Sequence, residues 1–306
     1  MSNFYEIGKR LGWNLPYQEQ QRVPKNIRFS NGFSIRPIGT ESAKMSLVPR
    51  RALDRVRVLE PQLVKQLLNE LGPDDGKEGF QAESRSRNRL IAEWLLYCGL
   101  RIEEVLGRDL DLTTDRHPGL TVSQFHTLPT NPKKPFDHSP ISVIGKYNKA
   151  RIIAVPNWLV LATKEYIQGE RTQSTCHLPR NHEFVFVNGI KAHRSHRGKK
   201  LSIRRYQAIF SQACIRAGLC RKNDDCKNSL ATHSPHDLRH TYAVMTYFAQ
   251  RSIGNVEPWK LIQSQLGHSN LRTTTDTYLQ FVSAYSKWEF AYQTSSTRIL
   301  AGLIDG

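Results

Sequence analysis

Cysteine is scarce in this sequence and shows no pattern of pairing. Five cysteines occur among 306 residues, an odd number at scattered positions. This argues against a disulfide framework and favours a reducing compartment. Cys220 and Cys226, with His233 downstream, lack the spacing of a zinc knuckle, and no second cysteine pair completes one. The sequence therefore predicts free thiols and no metal site.

Long apolar stretches are also missing. No run approaches the ~20 apolar residues that a membrane-spanning helix requires. The first residues lack the basic and then apolar pattern of a signal peptide. The sequence thus predicts a cytoplasmic protein without a membrane partner, associated with the nucleoid if the host is a bacterium.

Acidic residues are outnumbered by basic ones. The chain has 27 Asp and Glu against 44 Lys and Arg, which gives a net charge of +17 and an isoelectric point near 9.8. Such an excess is typical of proteins that neutralise phosphates and displace their counterions. Ribosome-associated and membrane-surface proteins share a basic isoelectric point, so the charge favours a nucleic-acid partner without identifying it.

The hydrophobic pattern changes near residue 57. Residues 1–56 are basic and rich in turn-forming residues, which predicts an arm, or the remnant of a preceding domain with its linker. Residues 57–306 predict one domain with a C-terminal tail. Helical periodicity covers 60–71, 84–97, 101–107, 157–168, 202–217, 236–250, 257–265 and 272–293, and strand-like segments cover 119–122, 141–144, 151–155 and 184–187. The expected fold class is α+β, mostly helical with a small antiparallel sheet.

Three motifs in the C-terminal half carry groups suited to a phosphate ester. His236 and Arg239 lie three residues apart at a predicted helix start, so they share one face. A histidine that exchanges a proton, beside a guanidinium that forks onto oxygens, suits such an ester. The motif Leu266-Gly267-His268 follows, where the glycine ends a helix. Tyr278 lies ten residues after its histidine, on the next predicted helix.

These motifs, in this order, resemble the C-terminal signature of the tyrosine recombinase (phage integrase) family. Two upstream segments complete the resemblance. Residues 99–104, Gly-Leu-Arg-Ile-Glu-Glu, resemble the first-arginine box of the family, and residues 145–151, Gly-Lys-Tyr-Asn-Lys-Ala-Arg, resemble its lysine-bearing β-hairpin. The resemblance extends over about residues 57 to 285. It implies the α+β catalytic domain of DNA breaking-rejoining enzymes.

The resemblance implies a role for each matching residue. The catalytic set is Arg101, Lys146, His236, Arg239, His268 and Tyr278, and Glu104 matches a supporting acidic position. Such an enzyme cleaves a strand through its tyrosine, leaving a 3′-phosphotyrosyl bond and a free 5′-hydroxyl. It then exchanges strands without metal, ATP or another cofactor. The residue chemistry agrees, since cleavage needs an in-line nucleophile, positive charge on the phosphate oxygens and a proton for the leaving oxygen.

Several alternatives stay open on the sequence alone. Lys149 competes with Lys146 for the lysine role, and Tyr285, seven residues after Tyr278 on the same predicted face, is a rival nucleophile. A type IB topoisomerase uses similar residues as a monomer to relax supercoils. A protein that keeps the fold and only binds DNA is a third possibility. The compact size and the Leu-Gly-His motif favour the recombinase over the topoisomerase, and the complete catalytic set argues against the non-catalytic protein.

A basic cluster and a C-terminal tail predict contacts outside the catalytic set. The cluster, which contains no acidic residue, predicts either contact with the DNA backbone or a solvated loop. Its members are Lys191, Arg194, Arg197, Lys199, Lys200, Arg204 and Arg205. The family implies a homo-tetramer on double-stranded DNA, with the tail at 288–303 docked onto a neighbouring protomer.

Other partners follow from the family alone. The resemblance implies DNA-bending or directionality factors, and a mobile element is the commoner carrier of such a gene.

Family members also generally have a helical core-binding domain before the catalytic one. The residues before 57 are too few to bury such a core.

Overall fold

The computed structural model describes residues 27–28, 34–35, 57–72, 85–108, 118–135, 137–145, 148–178, 182–223 and 226–285. The chain divides into two units, Met1–Arg55 and Val56–Gly306. In the first unit, two short strands pair antiparallel, β1 (Ile27–Arg28) and β2 (Ser34–Ile35). The rest of the predicted arm over 1–56 lies outside the described residues and stays a prediction.

Helices dominate the second unit. In chain order they are α1 (Pro61–Leu71), α2 (Arg85–Cys98), α3 (Ile102–Leu106), α4 (Val122–Thr127), α5 (Asn157–Tyr166), α6 (Thr172–Thr175), α7 (Ile203–Arg216), α8 (Pro235–Ser252), α9 (Pro258–Leu266) and α10 (Leu271–Tyr285). A π-helical turn, Ile167–Arg171, joins α5 to α6. No helix in the described part of the chain is both long and apolar enough to cross a bilayer. The mostly helical architecture with small antiparallel sheets confirms the predicted fold class.

Helix α8 is the central element of the core. It packs against α2 and also contacts α9 and α10, so most of its residues are buried. Its start is fixed locally: Pro235 occupies the first turn, and the Ser234 backbone N–H donates to Asp237 Oδ2 at 2.9 Å in a capping box. This start places His236 and Arg239 at the N-terminal end of a rigid, buried helix.

A β-hairpin lies beside the helices. Its strands, β3 (His138–Ile144) and β4 (Ala150–Pro156), pair antiparallel from His138 opposite Pro156 to Ile144 opposite Ala150. Alternate residues, including Ile141 and Ile153, are buried, as expected for a sheet with one face on a core. The β4 edge is held to α9 by the Gln265 side chain, which accepts from Ala154 N at 3.2 Å and donates to Ala154 O at 3.1 Å. The hairpin is therefore fixed to the helix that leads into Gly267 and His268.

Two predicted strands were wrong and one hairpin was missed. Residues 119–122 contribute only an isolated bridge from Thr121 to Phe184, and Thr121 is the N-cap of α4, where its backbone N–H donates to Gln124 Oε1 at 2.9 Å in a capping box. Residues 184–187 contribute only that bridge and one from Val187 to Lys200. The missed hairpin consists of β5 (Cys220–Asn223) and β6 (Cys226–Ala231). Its strands are polar and charged, so they lack the apolar alternation that a strand prediction depends on.

Candidate active site

The candidate site lies where the start of α8 meets the end of α2, the start of α3 and the turn between α9 and α10. Arg239 joins these elements. Its buried guanidinium donates through Nη1 to Gly99 O at 2.5 Å and through Nη2 to Leu266 O at 2.7 Å, and Nη2 lies 3.2 Å from His268 Nε2. Burial, followed by repulsion from Arg101, lowers the pKa of Arg239 to about 10, so this side chain stays charged at neutral pH.

Glu104 supplies the negative charge at the centre of the site. Its Oε1 accepts from Arg151 Nη1 at 2.7 Å, and its Oε2 accepts from Arg151 Nη2 at 2.9 Å. Arg101 donates to the same carboxylate through its backbone N–H at 2.8 Å and through Nη1 at 3.2 Å. Burial acts to raise the pKa of Glu104, but the hydrogen bonds and charge of Arg151, with the charge of Arg239, outweigh burial and lower it. Glu104 is therefore an ionised carboxylate.

Positive charge is in excess around this carboxylate. Three guanidiniums, those of Arg101, Arg151 and Arg239, lie within 4 Å of Glu104 in the described structure, at 3.2, 2.7 and 3.9 Å, so three positive charges face one negative charge. Arg101 is the most open, with 29% of its side chain exposed against 14% for Arg151 and 1% for Arg239. A cluster with excess positive charge and an accessible guanidinium fork is suited to binding a phosphate anion.

His268 is held in one tautomer by its two contacts. Arg239 has only donors, so His268 Nε2 accepts from it at 3.2 Å, and Nδ1 carries the proton. Nδ1 then donates to Oγ1 of the buried Thr274 at 2.9 Å. Burial, with repulsion from Arg239 and Arg101, lowers the pKa of His268 to about 4. A neutral His268 therefore continues the network from the guanidinium cluster to α10.

Tyr278 lies on α10, on the inner side of the same cluster. It is 1% exposed, and its hydroxyl lies 2.9 Å from His240 Nδ1. The His240 ring in turn makes an edge contact with the ring of His236, with centroids 4.5 Å apart. His236 itself is exposed, yet loss of hydration and repulsion from Arg239 and Arg101 lower its pKa to about 4. The repulsion alone would lower the pKa of His236, because two guanidiniums disfavour a positive charge on its ring.

Comparison of the sequence with known protein families shows which family contains this chain. The phage integrase family matches residues 57–283. The chain belongs to the phage integrase family. This confirms the resemblance that the separated motifs predicted.

The curated relatives of this chain include tyrosine recombinases of the Xer type. The tyrosine recombinase XerC of Shewanella amazonensis is 29% identical over 238 residues, which cover 78% of this chain and 61% of the relative. The tyrosine recombinase XerD of Halalkalibacterium halodurans is 25% identical over 227 residues, which cover 74% of this chain and 58% of the relative. The match therefore spans about three-fifths of the length of these relatives.

Among solved structures, the XerH site-specific recombinase in a post-cleavage complex with palindromic difH substrate has a similar fold. The TM-score is 0.51 at 20% identity, and the alignment covers 85% of this chain and 61% of that one. At this identity the likeness concerns the fold alone.

The structure brings together most of the residues that the family motifs predicted. Arg101, Glu104, Arg239 and His268 are joined by hydrogen bonds or ion pairs, and His236 and Tyr278 meet through His240. Lys146 lies outside the described residues, so its choice over Lys149 stays a prediction. Lys149 is exposed, and its backbone carbonyl accepts from Gly145 N at 2.9 Å. Tyr285 ends α10, and its side chain also lies outside the described part.

Sequence reasoning missed three residues of this network, namely Arg151, His240 and Thr274. Arg151 lies just after the two candidate lysines on the hairpin. Its partner Glu104 is 47 residues away in the sequence, so local spacing did not predict the contact. His240 is the residue after Arg239, and its spacing of four from His236 on a helix was a usable signal. Thr274 is the middle one of three consecutive threonines, and nothing in the sequence distinguishes it from the other two.

The basic cluster of residues 191–205 lies in a loop and in the first turn of α7. Lys191, Arg194, Lys199, Arg204 and Arg205 are exposed. Arg197 is half-buried and donates to Gln173 O at 3.4 Å, and the Lys200 ammonium lies 5.2 Å from the centre of the Phe184 ring. The structure thus divides the cluster into an exposed set that can reach phosphates and two residues occupied by local packing.

Replacing Gly267 with alanine is expected to destabilise the protein by about 1–3 kcal/mol beyond the strain of its left-handed backbone. Gly267 ends α9 at φ 68°, and an added Cβ would lie 2.8 Å from the Arg151 side chain. Gly218→Ala is the matched control, because Gly218 also has a positive φ (76°) but nothing within 4 Å of an added Cβ. Equal shifts of the two variants in urea unfolding would show that the Arg151 contact adds nothing.

Proposed function

We propose that this chain contains the catalytic domain of a site-specific DNA recombinase, with Tyr278 as the nucleophile. The observation that carries the proposal is the guanidinium cluster around Glu104, which contacts His268 and acts electrostatically on the Tyr278 hydroxyl and on His240. Membership of the phage integrase family supports it. The similarity to the Xer-type tyrosine recombinases supports the same assignment.

The proposed reaction begins when the scissile phosphate enters the guanidinium cluster. Arg101 and Arg239 bind the two non-bridging oxygens and stabilise the charge that grows on them as phosphorus becomes five-coordinate. The Tyr278 oxygen attacks phosphorus and gives its proton to the neutral His236 while the bond to the 5′-oxygen breaks. Lys146 donates the proton that the 5′-oxygen needs. A 5′-hydroxyl from the partner duplex then reverses the step on the new strand. The bond energy is kept in the phosphotyrosyl link, so no ATP is needed.

The positions of the other site residues support their proposed roles. Glu104 holds Arg101 and Arg151 in place, since both guanidiniums donate to its buried carboxylate. His268 Nε2 accepts from Arg239 at 3.2 Å and so helps to orient this guanidinium toward the phosphate in the proposed complex. The exposed His236 lies at the mouth of the site, where it exchanges protons with the reacting groups.

Double-stranded DNA is the proposed partner, and the exposed set of the basic cluster is proposed to follow its backbone. We further propose assembly as a homo-tetramer on DNA, with exchange of the C-terminal tail at 288–303, and assistance by DNA-bending or directionality factors. Strand exchange between two duplexes requires four cleavages and therefore four copies of a site that holds one tyrosine nucleophile.

Removing charge from the exposed set is expected to weaken DNA binding and reduce its dependence on salt. Each lost phosphate contact lowers the slope of log K against log salt by about 0.9. The triple variant Lys199→Ala, Arg204→Ala, Arg205→Ala should therefore lower that slope by up to about 2.7, measured by fluorescence anisotropy at several salt concentrations. Lys260→Ala is the control, since Lys260 is already paired with Glu257 at 2.6 Å. An unchanged slope in the triple variant would assign the cluster to a solvated loop.

The experiment that tests the proposed function is covalent trapping. The protein is incubated in EDTA with nicked duplexes from the DNA that flanks its gene, or from a randomised pool, and adducts are resolved on denaturing gels. A 3′-linked adduct is expected, and mass spectrometry should place it on Tyr278. The tryptic peptide 273–287 also contains Tyr285, so the peptide must be fragmented to assign the site.

Other outcomes of the trapping experiment point elsewhere. An adduct on Tyr285, or one linked to the 5′ end, would contradict the assignment of Tyr278. Relaxed circles without exchanged strands would indicate a topoisomerase. DNA binding without any adduct would indicate a binding protein.

A further inference from the structure

The proposed nucleophile is enclosed in this structure. Tyr278 is 1% exposed although it lies beside a site built to receive a bulky polyanion. An oxygen surrounded by protein cannot approach phosphorus in line with the leaving group. The phenol must therefore move, or its surroundings must open, before it can react. The contact that holds its hydroxyl is then a determinant of reactivity.

That contact is the hydrogen bond between the Tyr278 hydroxyl and His240 Nδ1, at 2.9 Å. Among the described residues this is the one hydrogen bond of the hydroxyl, so the phenolic proton is satisfied only when Nδ1 accepts it. His240 then carries its own proton on Nε2. Both residues are buried, and a buried hydroxyl without a partner is unfavourable by an amount comparable to a lost hydrogen bond.

The surroundings of His240 keep it an acceptor. His236 and Arg239 face it from its own helix, and His268 and Tyr278 face it from the turn before α10 and from α10 itself. Burial, followed by repulsion from His236, Arg239 and His268, lowers the pKa of His240 to about 3. Burial raises the pKa of Tyr278, against the opposing effect of Arg239 and Arg101. The proton therefore stays on the phenol, and His240 holds the nucleophile without deprotonating it.

We propose that His240 is a positioning residue that latches Tyr278, holding the phenol protonated and enclosed until the hydrogen bond to Nδ1 opens. This inference rests on the proposed function, because it assigns His240 a role toward the proposed nucleophile. The open state is a minor population in free protein, and both DNA attack and any reagent that needs the phenol must pass through it.

The test compares His240→Leu with His240→Asn. Leucine keeps apolar bulk but removes the acceptor, whereas the asparagine side-chain oxygen can take the place of Nδ1. DNA-free proteins are treated with tetranitromethane, and nitration of each tyrosine is followed by mass spectrometry. Tyr278 nitration is expected to rise about tenfold in His240→Leu, the factor for loss of one hydrogen bond, and to stay near the wild-type rate in His240→Asn. Tyr206, fully buried elsewhere, reports global unfolding.

The wild-type protein supplies a readout that needs no variant at His240. Tyrosine labelled with carbon-13 at Cζ is titrated by NMR, and the Tyr278 signal is assigned by its loss in Tyr278→Phe. The latch predicts that the Tyr278 signal does not titrate through pH 10, whereas an exposed phenol titrates near that value. Titration of Tyr278 near pH 10 would overturn the proposal, whether or not the leucine variant folds.

An activity measurement separates a latch from a base. Because nitration and adduct formation share the open state, His240→Leu should raise the single-turnover rate of adduct formation by the same factor as nitration. A rate that falls while DNA binding is unchanged would mean that His240 acts in the reaction itself, and would overturn the latch. If wild type never forms an adduct, the proposed function fails, but the nitration contrast still decides whether His240 holds Tyr278.

Discussion

Tyr278→Phe is expected to abolish covalent attachment to DNA, lowering adduct yield by more than about a thousandfold. The substitution removes one oxygen and keeps the buried ring, so the proposed nucleophile is lost without a cavity. Its effect on folding is confined to the hydrogen bond with His240, about 1 kcal/mol. DNA affinity and the unfolding midpoint should therefore stay close to those of the wild type. The measurements are adduct yield on nicked duplexes, fluorescence anisotropy and thermal unfolding.

Tyr285→Phe is the matched control on the same helix. Tyr285 lies seven residues later and was the rival nucleophile on sequence grounds. This variant should form adducts at the wild-type rate. Equal adduct yields from wild type and Tyr278→Phe, or loss of adduct in Tyr285→Phe, would refute the assignment of Tyr278.

Glu104→Gln is expected to destabilise the protein by about 3–5 kcal/mol, because removing one partner of a buried ion pair leaves the other charge uncompensated. Here the effect falls on three guanidiniums, since Arg101, Arg151 and Arg239 all lie within 4.0 Å of this carboxylate. Glutamine keeps the shape and one acceptor oxygen, so the loss reports charge more than packing. Urea unfolding at neutral pH measures it.

The matched control is Glu257→Gln, at an exposed pair with Lys260. That pair has an N–O distance of 2.6 Å, comparable to the 2.7 Å of Arg151 and Glu104. Exposed pairs contribute little because water screens them, so this variant should unfold close to the wild type. Similar unfolding midpoints for the two variants would show that Glu104 does not stabilise the site.

The lowered pKa of Glu104 predicts that its contribution to the free energy of unfolding is lost in acid. The pKa of Glu104 in the folded protein is lowered below its ordinary value of 4.5. Its contribution is therefore complete above the ordinary value and is lost as pH falls through the folded pKa. The difference in unfolding free energy between wild type and Glu104→Gln should shrink as the medium is acidified below 4.5.

Glu104→Gln should also slow cleavage at temperatures where the variant is fully folded. Without the carboxylate, repulsion drives Arg101 away from Arg239, and the two no longer meet the phosphate oxygens together. The expected loss is about 10²–10³ in the single-turnover rate, the range for removal of one transition-state contact. Normal cleavage by the folded variant would show that Arg101 and Arg239 are held by other contacts.

Much of the fold was predictable because helices are local. The apolar spacing in α1, which buries Val64, Leu67 and Leu71, placed that helix within one residue of its observed bounds. The turn at Gly145 between two apolar runs likewise placed the β3–β4 hairpin. The polar hairpin β5–β6 and the short helix α4 escaped prediction, since neither has a period that separates it from loop. Where pattern and turn chemistry agreed, the sequence determined the element.

The residues of the candidate site, like the helices, were predictable from local sequence. Motif order along the chain was enough to single out Arg101, Glu104, Arg239, His268 and Tyr278, because each sits in a short segment with its own residue spacing. The family match confirms the resemblance that these motifs indicated, while the role of each residue stays a prediction.

Only the tertiary structure decided which groups touch. Arg151 reaches Glu104 across 47 residues and Gln265 across 114, and Tyr278 reaches His240 across 38. Such contacts depend on how α9 packs against the hairpin and how α8 packs against α9 and α10, which no local pattern encodes. The sequence by itself determined the family and the fold class, and it predicted the set of reactive groups. Packing decided that Glu104 is shared by three guanidiniums and that Tyr278 is enclosed, because burial and charge are properties of neighbours in space.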